Sequence, residues 1–275
     1  MRRAPFYAMT SVTFALLLAG TSGCQMTHCP MGHHANRAGV SPVLRMGMIT
    51  GLKPEKMARY QELHAAAWPG VLRQIRRVNI RNYSIYLKEL DGQPCLFSYF
   101  EYSGRDFAAD MKKMAADPET QRWWKETDPC QAPLPAAAAR GQIWEDMEEV
   151  FHTAGAVDVT PRQVRRFGTV TGLSFEKEAW YRTLHQTPWP GVQRQIREAN
   201  IRNYSIYLKK IGDKLYLLSY FEYVGDNFEA DMERMKHDDV TQRWWQQTDP
   251  CQLPLPAAAA KKQIWDGMAE VFHAD

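Results

Sequence analysis

The chain states most of its content twice. The stretch HAAAWPGVLRQIRRVNIRNYSIYLK at 64–88 returns as HQTPWPGVQRQIREANIRNYSIYLK at 185–209. The same offset of 121 residues carries Gly47 to Gly168, Trp123 to Trp244, Cys130 to Cys251 and His152 to His273, so no insertion or deletion separates the copies. A period this long belongs to whole domains rather than solenoid units. It divides the chain into a first domain at 43–152, a linker at 153–164 and a second domain at 165–275. Each copy has the size of an ordinary domain with its own core. The linker is too short to hold the domains far apart, so they are expected to pack together.

Ahead of the first copy, the N-terminus reads as a targeting segment. Arg2 and Arg3 precede a largely apolar run from Phe6 to Gly20. That run is too short for a spanning helix and suits a signal peptide at 1–23. The end of the run, LAGTSGC, resembles a bacterial lipoprotein cleavage site, with Cys24 as the lipidated first residue of the mature chain. The expectation is an exported protein anchored by lipid to a bacterial envelope, with a secreted or periplasmic soluble form as the alternative. Residues 24–42 are polar and rich in Gly and His. Their Cys, His and Met spacing matches no firm metal site, so they read as a flexible tether.

Composition narrows the partners. A net charge of +3 is too small to imply nucleic acid; the cluster Arg73, Arg76, Arg77 and Arg81 reads as a solvated helix face. Nine Trp and twelve Tyr, several recurring in both copies, suit cores but also stack on sugar rings. The five Cys make no disulfide framework. Cys95 is replaced by Tyr216 in the second copy, and Cys130 and Cys251 read as buried thiols, an interdomain bridge being the other option.

Each copy yields the same elements. Residues 45–50 and 167–171 form a first strand, and 54–67 a helix broken by Trp68-Pro69-Gly70 and resumed at 71–78. Residues 82–87 and 96–102 form a hairpin turned at Asp91-Gly92. Helices follow at 107–114 and 120–126, and 147–152 closes as a last strand. The order β-α-β-β-α-β is a ferredoxin-like plan within the α+β class. Helices on one sheet face leave the other uncovered. Two such sheets facing each other solve this, so the expected architecture is an intrachain dimeric α/β-barrel.

Tyr60 and His64 lie four apart on one helical turn, as do Tyr181 and His185, which points both side chains the same way. Tyr83 and Tyr204 open a strand, and Trp123-Trp124 and Trp244-Trp245 complete the recurring set. Imidazole exchanges a proton near neutral pH, phenols donate and accept hydrogen bonds, and indole stacks. Spacing alone leaves two readings of His64 and His185, catalytic groups or satisfied core residues. Tyr83 and Tyr204 could be core, the Trp pairs could be packing, and Asn82 and Asn203 could cap a turn. The chain has no phosphate loop, nucleophile elbow, HExxH or CxxC.

The set Tyr-x3-His, Trp-Pro, Asn-Tyr-x-Ile-Tyr-Leu, Gln-Arg-Trp-Trp and a terminal Glu-Val-Phe strand resembles the L-rhamnose mutarotase family, over about 45–152 and again 166–273. The resemblance implies cofactor-free interconversion of the α and β anomers of L-rhamnose or a similar pyranose, with no metal. It implies that His64 and His185 donate the proton and that Tyr60, Tyr83, Tyr181, Tyr204, Trp123, Trp124, Trp244 and Trp245 bind the monosaccharide. Two places depart from the family pattern. Ala65-Ala66-Ala67 and Gln186-Thr187-Pro188 follow the histidines, and TDPCQ-x-PLPAAAA replaces a more compact ending. Both leave the sugar open. A non-catalytic sugar-binding module of the cell envelope is the alternative function.

Overall fold

The computed structural model describes residues 43–161 and 163–275; the expected signal peptide, tether and lipidated Cys24 lie outside them. The first copy runs β1 (Leu44–Leu52), α1 (Met57–Ala65), α2 (Pro69–Arg77), β2 (Ile80–Leu90), β3 (Gln93–Tyr102), α3 (Phe107–Ala116) and α4 (Pro118–Thr127). Then come β4 (Gln131–Ala132), α5 (Pro135–Ala138), β5 (Glu145–Asp146) and β6 (Glu148–Gly155). The second copy repeats this as β7 (Arg165–Leu173), α6 (Glu178–Gln186), α7 (Pro190–Glu198), β8 (Ile201–Ile211), β9 (Lys214–Tyr223), α8 (Phe228–Lys236) and α9 (Asp239–Thr248). It ends in β10 (Gln252–Leu253), α10 (Pro256–Ala259), β11 (Asp266–Gly267) and β12 (Ala269–Ala274).

Local chemistry sets these boundaries. Trp68 stands extended before Pro69, and Pro at the first helical position has no amide to leave unpaired, so α2 starts there. Asp106 caps α3 by accepting from Ala109 N at 2.9 Å, and Asp117 caps α4 by accepting from Thr120 N at 2.8 Å. The helix expected from Pro54 opens as a 3-10 turn at Pro54–Lys56, and α1 proper begins at Met57.

The βαββαβ order is present in each copy, but the closing strand does not stay at home. In the first copy it begins on its own sheet, where β5 pairs β1 through Met48↔Asp146 and Ile49↔Glu145. It then crosses over, and β6 pairs β8 of the second copy, with His152 opposite Ser205 and Thr153 opposite Tyr204. The second copy reciprocates: β11 pairs β7, and β12 pairs β2, with His273 opposite Ser84. Thr153–Gly155, expected in the linker, are part of β6. The two six-stranded antiparallel sheets are thereby linked at both edges by the closing strands, each pairing first in its own copy's sheet and then in the other's, in a dimeric α/β-barrel arrangement.

Side chains alternate across the barrel wall. Along β3, Cys95, Phe97 and Tyr99 face inward, while Leu96 and Phe100 face the helices. The inward layer from both copies is rich in rings, including Tyr86, Tyr99, Tyr207 and Tyr220. Gly47 lies on β1 where a Cβ would sit 2.6 Å from the Tyr207 ring, and Gly168 faces Tyr86 in the same way at 2.5 Å. The absence of a side chain at these two positions lets a tyrosine of the opposite sheet fill the middle of the barrel. Cys95, Cys130 and Cys251 are buried free thiols, so no Cys130–Cys251 bridge forms.

Candidate active site

Each site starts from one turn of helix. On α1, Tyr60 and His64 stack at 4.0 Å between ring centroids; on α6, Tyr181 and His185 stack at the same distance. His64 Nδ1 lies 2.9 Å from Tyr60 O, and His185 Nδ1 lies 2.9 Å from Tyr181 O. A carbonyl only accepts, so Nδ1 carries the proton and Nε2 presents its lone pair. Trp123, carried inward by α4, meets the His64 ring edge-on at 5.2 Å and also meets Trp68 at 5.4 Å. Trp244 repeats both contacts, with His185 at 5.4 Å and Trp189 at 5.4 Å.

The last wall comes from the other copy. Phe272 on β12 meets His64 at 5.6 Å and Tyr83 at 5.5 Å. Reciprocally, Phe151 on β6 meets His185 at 5.5 Å and Tyr204 at 5.5 Å. The strand exchange therefore completes each constellation. An open cleft of about 330 Å³ reaches the first one, bounded by His64, Ala65, Ala66, Ala67, Leu72 and the 270–273 stretch of β12. The small Ala side chains form its rim, where the second copy carries Gln186, Thr187 and Pro188.

Burial sets the electrostatics. His64 and His185 are each 8% exposed, which leaves an edge reachable while desolvation holds both imidazoles down at about 4. The carbonyl bond to Nδ1 works the other way and is the weaker influence. Burial pushes the phenols of Tyr60, Tyr83, Tyr181 and Tyr204 above their usual range, so they stay neutral donors. The arrangement can take up a proton or a hydrogen bond at Nε2 and give hydrogen bonds from two phenols, inside an aromatic frame.

Two stretches of the chain, 45–153 and 166–274, match the family model for L-rhamnose mutarotase. The chain belongs to the L-rhamnose mutarotase family. It is 30% identical over 108 residues to the L-rhamnose mutarotase of Oceanobacillus iheyensis, covering 39% of this chain and 96% of that one. It is 27% identical over 110 residues to the enzyme of the same name from Lactiplantibacillus plantarum, covering 40% and 98%. One copy thus spans nearly a whole relative. Among solved structures the chain is similar to an anthrone oxidase-like protein, with a TM-score of 0.39 and 11% identity over 83% of this chain and 93% of that one. That likeness is too distant to carry chemistry.

As a member of the L-rhamnose mutarotase family, the chain brings Tyr60, His64, Tyr83 and Trp123 into ring contact with one another or with Phe272, and Tyr181, His185, Tyr204 and Trp244 likewise around Phe151. Trp124 and Trp245 stand differently. Neighbours on a helix point about 100° apart, and these two are half-buried against the hydrophobic core beside the site. Phe272 and Phe151 are the residues passed over as site members, although both terminal Glu-Val-Phe motifs contain them. Asn82 and Asn203 cap no turn. They sit at bulges of β2 and β8 with φ of 51° and 50°, and their amides reach carboxylates of both copies. Among the described residues no helix is long and apolar enough to cross a membrane.

Proposed function

We propose that the chain is a tandem sugar mutarotase that interconverts the α and β anomers of L-rhamnose or a similar pyranose. The observation that carries this reading is the Tyr–His stack with Nδ1 committed to a backbone carbonyl and Nε2 without a hydrogen-bond partner among the described residues, enclosed by rings from both copies. His64 and His185 enter the reaction as neutral imidazoles. Nε2 takes the proton of the anomeric hydroxyl, the C1–ring-oxygen bond breaks to leave an aldehyde, and the imidazolium returns the proton to the ring oxygen, which shares that carbon. Rotation about C1–C2 and the reverse sequence close the ring on the other face. Tyr60, Tyr83, Tyr181 and Tyr204 orient hydroxyls, and Trp123 and Trp244 cover an apolar face with Trp124 and Trp245 flanking.

Anomer exchange measured by NMR saturation transfer with a panel of sugars tests this. His64→Ala should lower exchange and the His64→Ala/His185→Ala double variant should abolish it; unchanged exchange in the double variant removes the histidine assignment. A second reading, a sugar-binding module without catalysis, is favoured by imidazoles held at about 4, which make Nε2 a weak base for the anomeric proton. It predicts saturable sugar binding with no exchange above the spontaneous rate. The N-terminal sequence supports export with a lipid anchor, which predicts a diacylglyceryl-modified Cys24 in mass spectra of the mature N-terminus.

A further inference from the structure

The turn after α4 carries a polar group that the reaction above leaves unused. Gln131 is 5% exposed, and its Nε2 donates to Tyr60 Oη at 3.5 Å. Its carbonyl Oε1 is buried with no donor among the described residues, and the same is true of Gln252 Oε1, whose residue is 7% exposed. A buried acceptor without a donor is destabilising. Here the same atom is left open in both copies, although the next residue changes from Ala132 to Leu253.

The surroundings of the two glutamines also repeat. Tyr60 and Tyr181 are each 1% exposed, and burial keeps both phenols neutral. Each site therefore sets an open amide acceptor beside phenol donors. A ligand that both gives and takes hydrogen bonds at closely spaced positions satisfies all of them, and adjacent hydroxyls of a pyranose do so.

We infer that Gln131, with Gln252 in the second site, is a hydroxyl acceptor for the bound sugar. The inference rests on the sugar-site reading above and extends it to the start of β4 and of β10. It selects polyhydroxylated pyranoses with neighbouring hydroxyls free.

The test uses the full chain and L-rhamnose as probe, with Gln131→Met/Gln252→Met as the variant. Anomer-exchange kinetics and thermal melting are read together. The glutamine variant should raise KM by roughly tenfold, the loss of about one hydrogen bond, with kcat nearly unchanged and a melting temperature equal to or above wild type. A wild-type KM in the folded variant, or a lowered melting temperature with KM unmoved, assigns these residues a structural role and overturns the inference alone. Wild-type protein that neither exchanges nor binds any sugar of the panel overturns both this inference and the reading beneath it.

Discussion

The rings of Tyr99 and Tyr220, one from each copy, stack at 3.9 Å and only 6° from parallel in the barrel interior. Their hydroxyls cross the same divide. Tyr99 Oη donates toward Asn203 Oδ1 at 2.9 Å and Glu101 Oε1 at 3.0 Å, and Tyr220 Oη toward Asn82 Oδ1 at 2.9 Å and Glu222 Oε1 at 3.1 Å. Asn82 and Asn203 each donate to both Glu101 and Glu222. Burial works to raise Glu222, yet the bonds from Arg202 and Asn203 outweigh it and hold the carboxyl below its usual range. A buried carboxylate is tolerated here because every approach to it is a donor.

Tyr99→Phe keeps the stack and removes the donor. It should cost about 1–3 kcal/mol, the penalty for leaving buried acceptors unsatisfied. Tyr99→Phe/Tyr220→Phe should depart from the sum of the single changes, because both hydroxyls serve one network. Urea unfolding of the three variants checks this.

Phe272 and Phe151 each stand in ring contact with the histidine of the copy they do not belong to. Phe272→Ala should impair exchange by at least tenfold in a His185→Ala background, where only the first site works. In a His64→Ala background it should change exchange little. Phe151→Ala should show the opposite pattern. Saturation-transfer rates on the four double variants distinguish crossed sites from self-contained ones.

Much of this was legible in the sequence and some was not. The helices and strands followed from periodicity, from the break at Trp68-Pro69-Gly70 and from the turn at Asp91-Gly92, because those signals are local. The partner of the closing strand was not, since Glu-Val-Phe reads the same whichever sheet receives it. Thr153–Gly155 read as linker because Thr, Ala and Gly offer no large apolar side chain to a core, yet the edge of β8 supplies their hydrogen bonds. The Tyr60–His64 pair was visible as an i, i+4 spacing, whereas Asn82 concealed a left-handed bulge behind an ordinary turn preference.

Stability should fall with acid over a defined range. Burial holds His64 and His185 at about 4, and burial with the Arg45 charge holds His152 at about 4. In the unfolded chain a histidine titrates near 6.5. Between those values the unfolded state binds more protons, so stability is full above about pH 6.5 and is lost progressively down to about pH 4. The two site imidazoles contribute up to roughly 3 kcal/mol each at the acid end. Asp128, raised to about 6, acts in the opposite direction and offsets part of the loss. Denaturant midpoints from pH 7.5 to 4 should decline, and less steeply in His64→Ala/His185→Ala.

A fragment holding residues 43–164 alone has β8 missing from beside β6 and β12 missing from beside β2. Two such fragments supply each other's strands. Sedimentation should find a dimer near the mass of the two-copy region, and a monomeric folded fragment would contradict the exchange.

The reciprocal closing strands make the unit of function different from the unit of sequence. The first site is assembled from 44–132 together with 269–274, and the second from 165–253 together with 148–155. Replacing either repeat with a foreign one alters a wall in both sites at once. A change in either copy's closing strand is therefore felt beside the histidine of the other.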